Sequence, residues 1–162
     1  MQTPSTQNAQ SRESYQVGLL TYLVVGWSCA LVSGTCLVWA FSAREYIAMI
    51  FFAFFAGMGV YIILGTGEIT IDSDGVRHHS LFGRYGIRWD EIRRIEFGAG
   101  DGTFVLHGDR KRFVISPISM WSGSQKANAI ALLDEKLRNS GITLEPSRIA
   151  AYKWNKNVNL KN

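Results

Sequence analysis

The sequence predicts a membrane α-helical hairpin followed by an α+β domain, an antiparallel β-barrel or sandwich of about six or seven short strands closed by one C-terminal helix. Three observations predict it. Two long uncharged apolar runs lie close together between residues 17 and 66. From Glu68 onward short apolar-polar alternations are punctuated by Gly and Asp turns. After Pro117 the apolar period becomes helical.

The expected divisions are a flexible tail over 1–16, a two-helix transmembrane hairpin over 17–66, a cytoplasmic domain over 67–146 and a basic tail over 147–162. Residues 1–16 are rich in Ser, Thr and Gln and hold too few apolar side chains to offset the entropy of ordering. They also lack the positive n-region of a secretory signal, so retention of the segment is expected.

Val17 to Phe41 gives 25 residues, and Tyr46 to Thr66 gives 21, without Asp, Glu, Lys, Arg or His. A bilayer core of about 30 Å needs roughly 20 such residues, so each run is long enough to span. The ten Ile, Leu, Val and Phe residues of the second run contribute roughly −3 to −6 kcal/mol toward insertion. A domain of about 95 residues is too small to cover two uniformly apolar helices on all sides.

Ser42 to Glu45 leave room only for a tight antiparallel turn, so both chain ends face one compartment. The side opposite the turn carries Arg12, Arg77, Arg84 and Arg88, which outweigh the lone Arg44 of the turn. The positive-inside rule then predicts a multi-pass protein of the inner (plasma) membrane with both termini cytoplasmic. Gly26, Ala30 and Gly34 recur every four residues, as do Ala53 and Gly57, and small residues let helices approach closely. A turn centred at residues 43–44 places Gly34 opposite Ala53 and Ala30 opposite Gly57, with a dimer seam on the same ridge as the alternative. Cys29 and Cys36 are separated by roughly 10 Å of helical rise, too far for a disulfide.

In the domain, Ile69 and Ile71 lead to a turn at Ser73, Asp74 and Gly75. Strands are expected over 76–82, 85–89, 92–97, 103–107 and 111–115, with turns at Gly83-Arg84, at 98–102 and at Gly108-Asp109. A helix over 124–140 is expected to bury Ile130, Leu133 and Leu137, with Ala127 extending the stripe, and to stop at Gly141.

Within this span, Ile69-Thr70-Ile71-Asp72-Ser73-Asp74-Gly75-Val76 and Phe82-Gly83-Arg84-Tyr85-Gly86-Ile87-Arg88-Trp89-Asp90-Glu91-Ile92 resemble the bacterial pleckstrin-homology-like (PH-like) domains of small membrane proteins. Trp89 ending a strand, an acidic turn, and Ile92 re-entering the core carry the likeness. The resemblance implies seven strands, the seventh sought near 118–120, and a noncatalytic binding or self-assembling module. Phosphoinositide-binding members carry a basic cluster in the first hairpin. Here the first hairpin is read as Asp72 to Gly75, whose charge would repel phosphate.

Chemistry is sparse. His78 and His79 are adjacent on a strand and face opposite sides, so they share no metal. Gly98, Gly100 and Gly102 precede a strand, where a phosphate loop would precede a helix. Asp90 and Glu91 read as turn-formers beside Arg93 and Arg94, and Ser122 and Ser124 have no evident base. Neither an enzyme nor a cofactor or metal site is expected.

From Gly67 onward there are 15 Lys and Arg against 11 Asp and Glu. Arg110, Lys111 and Arg112 at a hairpin tip, with Arg148, Lys153, Trp154 and Lys156 in the tail, are the candidate contacts to anionic lipid or an acidic partner. The partners expected are the bilayer and another membrane protein or copies of the chain, and no nucleic acid. The leading expectation is a protein-binding or self-assembly module. The alternative is a sensor of anionic lipid surface working through the basic tip and tail.

Overall fold

The structure, a computed structural model, describes residues 13–147 and residue 153. Its first element is a strand, β1 (Ser14–Gly18), ahead of the two long helices. Tyr15, Val17 and Leu19 alternate with polar residues, and Val17 and Leu19 are buried in the domain core. The expected boundary between tail and hairpin at residues 16–17 therefore falls inside a strand; residues 1–12 lie outside the described residues. So short a period-two pattern is masked in sequence, because Val17 and Leu19 merge with the apolar run that follows.

Helices α1 (Leu20–Ala43) and α2 (Tyr46–Gly65) form the hairpin, each long and apolar enough to cross a membrane. Arg44 turns the chain with φ 60°, and the Glu45 amide donates to the Ala40 carbonyl at 2.9 Å. The helices meet at a different pair of small residues from those expected. A Cβ on Gly59 would lie 2.6 Å from the Ala30 amide nitrogen and 2.8 Å from the Gly26 carbonyl oxygen. Gly26 and Ala30 are thus in the seam, but their partner is Gly59. A Cβ on Gly34 or Gly57 would meet nothing within 4 Å, and Ala53 is exposed. Seven-residue spacing of the buried Gly26, Ser33 and Ala40 carries the contact along α1, and the four-residue ridge drifts off it.

The chain then returns to the sheet it left. Strand β2 (Glu68–Asp72) pairs antiparallel with β1, with Gly18 opposite Glu68 and Ser14 opposite Asp72. β3 (Gly75–Ser80) and β4 (Gly83–Arg88) complete a sheet of order β1-β2-β3-β4. The β3–β4 turn is Leu81-Phe82, two residues earlier than expected, and Gly83 takes the positive φ of 137° that follows it. β5 (Arg94–Gly98), β6 (Phe104–His107), β7 (Arg112–Ile115) and β8 (Leu144–Ser147) form a second sheet of order β7-β6-β5-β8. β8 runs parallel to β5 and holds Pro146, where the domain was expected to end. Proline suits this edge position, where no neighbour on the outer side needs its amide.

The two sheets do not join into a closed barrel. Their inner faces bury Ile69, Ile71, Val76 and Ile87 against Ile95, Leu106, Phe113 and Ile115. Helix α3 (Lys126–Asn139) covers that core with Ala129, Leu132, Leu133 and Leu137. The stripe is rotated from the expected one, since Ala127 is exposed and Ile130 only half-buried. Gly141 ends the helix region with φ 65°, as expected.

Residues 118–120, where a seventh strand was sought, form a 3-10 turn. The missing strand is β1. Ser122 joins it to α3's approach: the Gly18 amide donates to the Ser122 carbonyl at 3.0 Å, and the Ser122 amide donates back at 2.9 Å. The Ser122 hydroxyl accepts from the Leu20 amide at 3.2 Å, one of the donors that a helix start leaves without an intrahelical partner.

Candidate functional site

Strand direction divides the domain into two ends. Gly18, Glu68, His79 and Arg84 form one row across the first sheet, immediately beside the ends of α1 and α2. The turns at Ser73-Asp74, Arg88–Glu91 and Gly108–Lys111 lie at the other end, where the Trp89 amide donates to the Asp74 carbonyl and the Arg93 amide to the His107 carbonyl. At about 3.4 Å per residue, the four steps from Arg84 to Arg88 separate the two ends by roughly 14 Å.

The distal end holds an open cavity of about 380 Å³, lined by Asp74, Gly75, Arg77, Arg88, Glu91 and Lys111 among others. Each charge there is placed by a local reason. Asp72, itself buried, accepts from the Asp74 and Gly75 amides at 2.9 and 3.0 Å and is paired with Arg77. Its carboxylate therefore builds the turn. The Trp89 indole donates to the Asp72 carbonyl at 2.8 Å, and Ile92 is buried in the core. This is the structural role of the Trp-acidic-Ile phrase: Trp89 fastens the second turn to β2 while Asp90 and Glu91 shape the chain between.

Arg88 grips Asp90 through Nε and a terminal nitrogen, both at 3.1 Å. Glu91 accepts from Lys111 at 2.8 Å and from the Arg88 amide at 3.2 Å. The Lys111 hydrogen bond, chiefly, holds the Glu91 carboxyl below its ordinary range, against the opposing effects of burial and Asp90. Arg93 pairs with Asp109 at 3.3 Å. Arg110, Lys111 and Arg112 lie at the end of the domain away from the helices, and Lys111 is paired there with Glu91.

A second cluster occupies the outer face of the β5–β8 sheet. Glu96, 5% exposed, faces Arg94, His107 Nε2 at 3.0 Å, and Lys153. Burial raises the Glu96 carboxyl, but the Lys153 hydrogen bond and the His107, Lys153 and Arg94 charges outweigh it and leave the group below its ordinary value. His107 is pushed down by burial, with Glu96 opposing. Lys153, read from sequence as a lipid or partner contact, is paired with a buried carboxylate. Arg148, Trp154 and Lys156 lie outside the described residues.

His78 faces inward and stacks on Tyr85 at 6.4 Å, while His79 faces out, as their adjacency required. Burial, then the neighbouring His79, pushes the His78 imidazole down. No group of three potential metal ligands occurs among the described residues. Ser122 serves the helix start, and the Gly98–Gly102 segment makes a turn in which Asp101 accepts from the Thr103 amide at 3.0 Å.

The cleft is open and rimmed by side chains of both signs of charge. No curated protein matches the chain. The family model described as the bacterial PH domain matches residues 68–128, beginning at the first residue of β2 and so omitting β1. Residues 68–128 carry a bacterial PH domain, preceded in the chain by two apolar helices with the length to cross a membrane.

Proposed function

We propose that the protein is a noncatalytic membrane-anchored binding module. The hairpin spans the inner membrane, both termini are cytoplasmic, and the PH domain holds its mixed-charge distal end toward a protein partner or further copies of the chain. A bacterial PH domain suggests a binding or adaptor role. The observation that carries the anchoring is the surface of the hairpin. Leu31, Val32, Val38, Ile47, Ile50 and Phe54 are exposed on helices that pack on each other along one narrow seam. A contiguous apolar surface of that kind is costly in water and favourable in lipid.

The distal cleft is the preferred contact because its charged side chains are fixed in place by one another and face away from the helices. The test is photocrosslinking in intact cells with a benzophenone residue replacing Arg88, compared with one replacing Arg138 on α3. Adducts to a second protein, or to another copy, from position 88 alone are expected. Equal background labelling at both positions would reject the cleft. Membrane-impermeant maleimide should reach Ser42→Cys from outside and Ser73→Cys only after permeabilisation; the reverse pattern would invert the orientation.

A further inference from the structure

We infer that the Leu81-Phe82 turn is a second membrane attachment, inserting into the headgroup-acyl boundary of the leaflet from which α2 emerges. The inference rests on the reading that the hairpin spans the bilayer. Two-residue hairpin loops favour Asn, Asp and Gly, because their backbone angles suit small or polar residues. Here both loop residues are large and apolar, Leu81 being 79% exposed and Phe82 47%. Among the described residues no other hairpin turn is built this way: its counterparts carry Ser73-Asp74, Asp101 and Asp109. Two side chains left in water at such a place need an occupant.

Position identifies the occupant. Phe82 packs on Tyr61 of α2 with ring centroids 5.1 Å apart, and a Cβ on Gly65 would lie 3.2 Å from its ring. Tyr61 lies four residues before the helix end, so Phe82 reaches about 6 Å back along the helix axis. The tip of a β-hairpin therefore overlaps the last turn of α2, and its apolar surface is continuous with that of the helix. Tyr at such a level suits the membrane-water interface. Arg84 follows two residues on, exposed and without an ion pair among the described residues, where insertion of the tip would bring it to the lipid phosphates. Glu68 and His79 share its row, so the charges there partly offset and the two apolar side chains carry the contact. With β1 and β2 already continuous with the helices, a third point prevents the domain from tilting about that edge.

The test uses the full chain in phosphatidylethanolamine-phosphatidylglycerol vesicles, with Cys29 and Cys36 replaced by Ser. A polarity-sensitive fluorophore is attached at Leu81→Cys, Val60→Cys or Ser73→Cys. Leu81 is exposed, so its replacement leaves the core intact. Quenching of the position-81 probe by lipids carrying a shallow acyl nitroxide is expected to approach that at position 60. Quenching by aqueous iodide should be several-fold weaker at 81 than at 73. A position-81 probe quenched by iodide as strongly as position 73, with position 60 in lipid, would overturn the inference and leave the anchoring reading standing. Aqueous quenching at both 81 and 60 would overturn both.

Discussion

Gly59 shows how much one missing methyl group decides. Its Cα faces backbone atoms of α1, which cannot rotate away as a side chain can. Gly59→Ala should separate the helices and destabilise the hairpin by about 1–3 kcal/mol, the usual cost of overpacking. Gly57→Ala, two residues away and facing open space, should change stability by less than about 0.5 kcal/mol. Thermal unfolding of the two variants in one detergent separates them, and equal melting shifts would refute the seam. Sequence spacing placed Ala30 opposite Gly57, whereas Gly26 and Ala30 lie against Gly59. Gly59 stands outside the four-residue series of Ala53 and Gly57, and which glycine enters the seam depends on the crossing geometry of the helices.

The ionisable side chains at this scale act in one direction. His78 and His107 are held below their ordinary value of 6.5 chiefly by burial. The unfolded chain then binds protons more readily, so stability should fall as pH drops below about 6.5. Glu91, held down chiefly by its Lys111 hydrogen bond, and Glu96, where paired cations outweigh burial, have depressed pKa values. Their contribution is present above the ordinary 4.5 and is lost as pH falls through the folded values. Acid unfolding should therefore begin near pH 6.5 and steepen below pH 4.5. His78→Phe keeps a ring beneath Tyr85 but carries no proton, and should flatten the upper part of the stability-pH curve measured by circular dichroism. A slope between about pH 6.5 and 5 identical to the native chain would discard His78 as a contributor.

At the scale of elements, the connection between β1 and β2 is the helical hairpin itself, so the turn expected as the first hairpin of the domain, Asp72 to Gly75, joins β2 to β3 instead. Gly18 and Glu68 are register partners, so the ends of the 49 intervening residues are held about a strand spacing apart. Deleting the helices and joining residues 13–19 to residue 67 through a few glycines and serines should therefore give a folded, soluble PH domain. A fragment starting at residue 67 should not. It loses β1 along with buried Val17 and Leu19, about 3–6 kcal/mol of apolar burial against a total stability of roughly 5–15 kcal/mol for a domain. Cooperative melting of the joined version, with aggregation or a much lower midpoint for the fragment, is the expected pair of results. Equal stability would mean that β1 is dispensable.

Over the whole molecule, the row Gly18, Glu68, His79 and Arg84 faces the helices while the Asp74, Glu91 and Lys111 cluster faces away. A sheet that begins on one side of the hairpin and resumes on the other transmits any tilt of the helices directly to the domain. Under the membrane-anchored reading proposed above, the apolar Leu81-Phe82 tip would add to that constraint.

The amino-acid sequence by itself determined the two apolar helices, the six strands from Glu68 to Ile115, α3 with its Gly141 stop, and the Trp89-Ile92 phrase. Each rests on local periodicity or local turn chemistry, which neighbouring residues are enough to specify. Only the tertiary structure decided that Ser14 to Gly18 is the remaining strand, that Leu144 to Ser147 pairs parallel with β5, and that Lys111 and Lys153 meet Glu91 and Glu96. Those pairings join residues separated by tens of positions in the chain. A strand of five residues carries too little pattern to announce its partner, and a surface cation carries none.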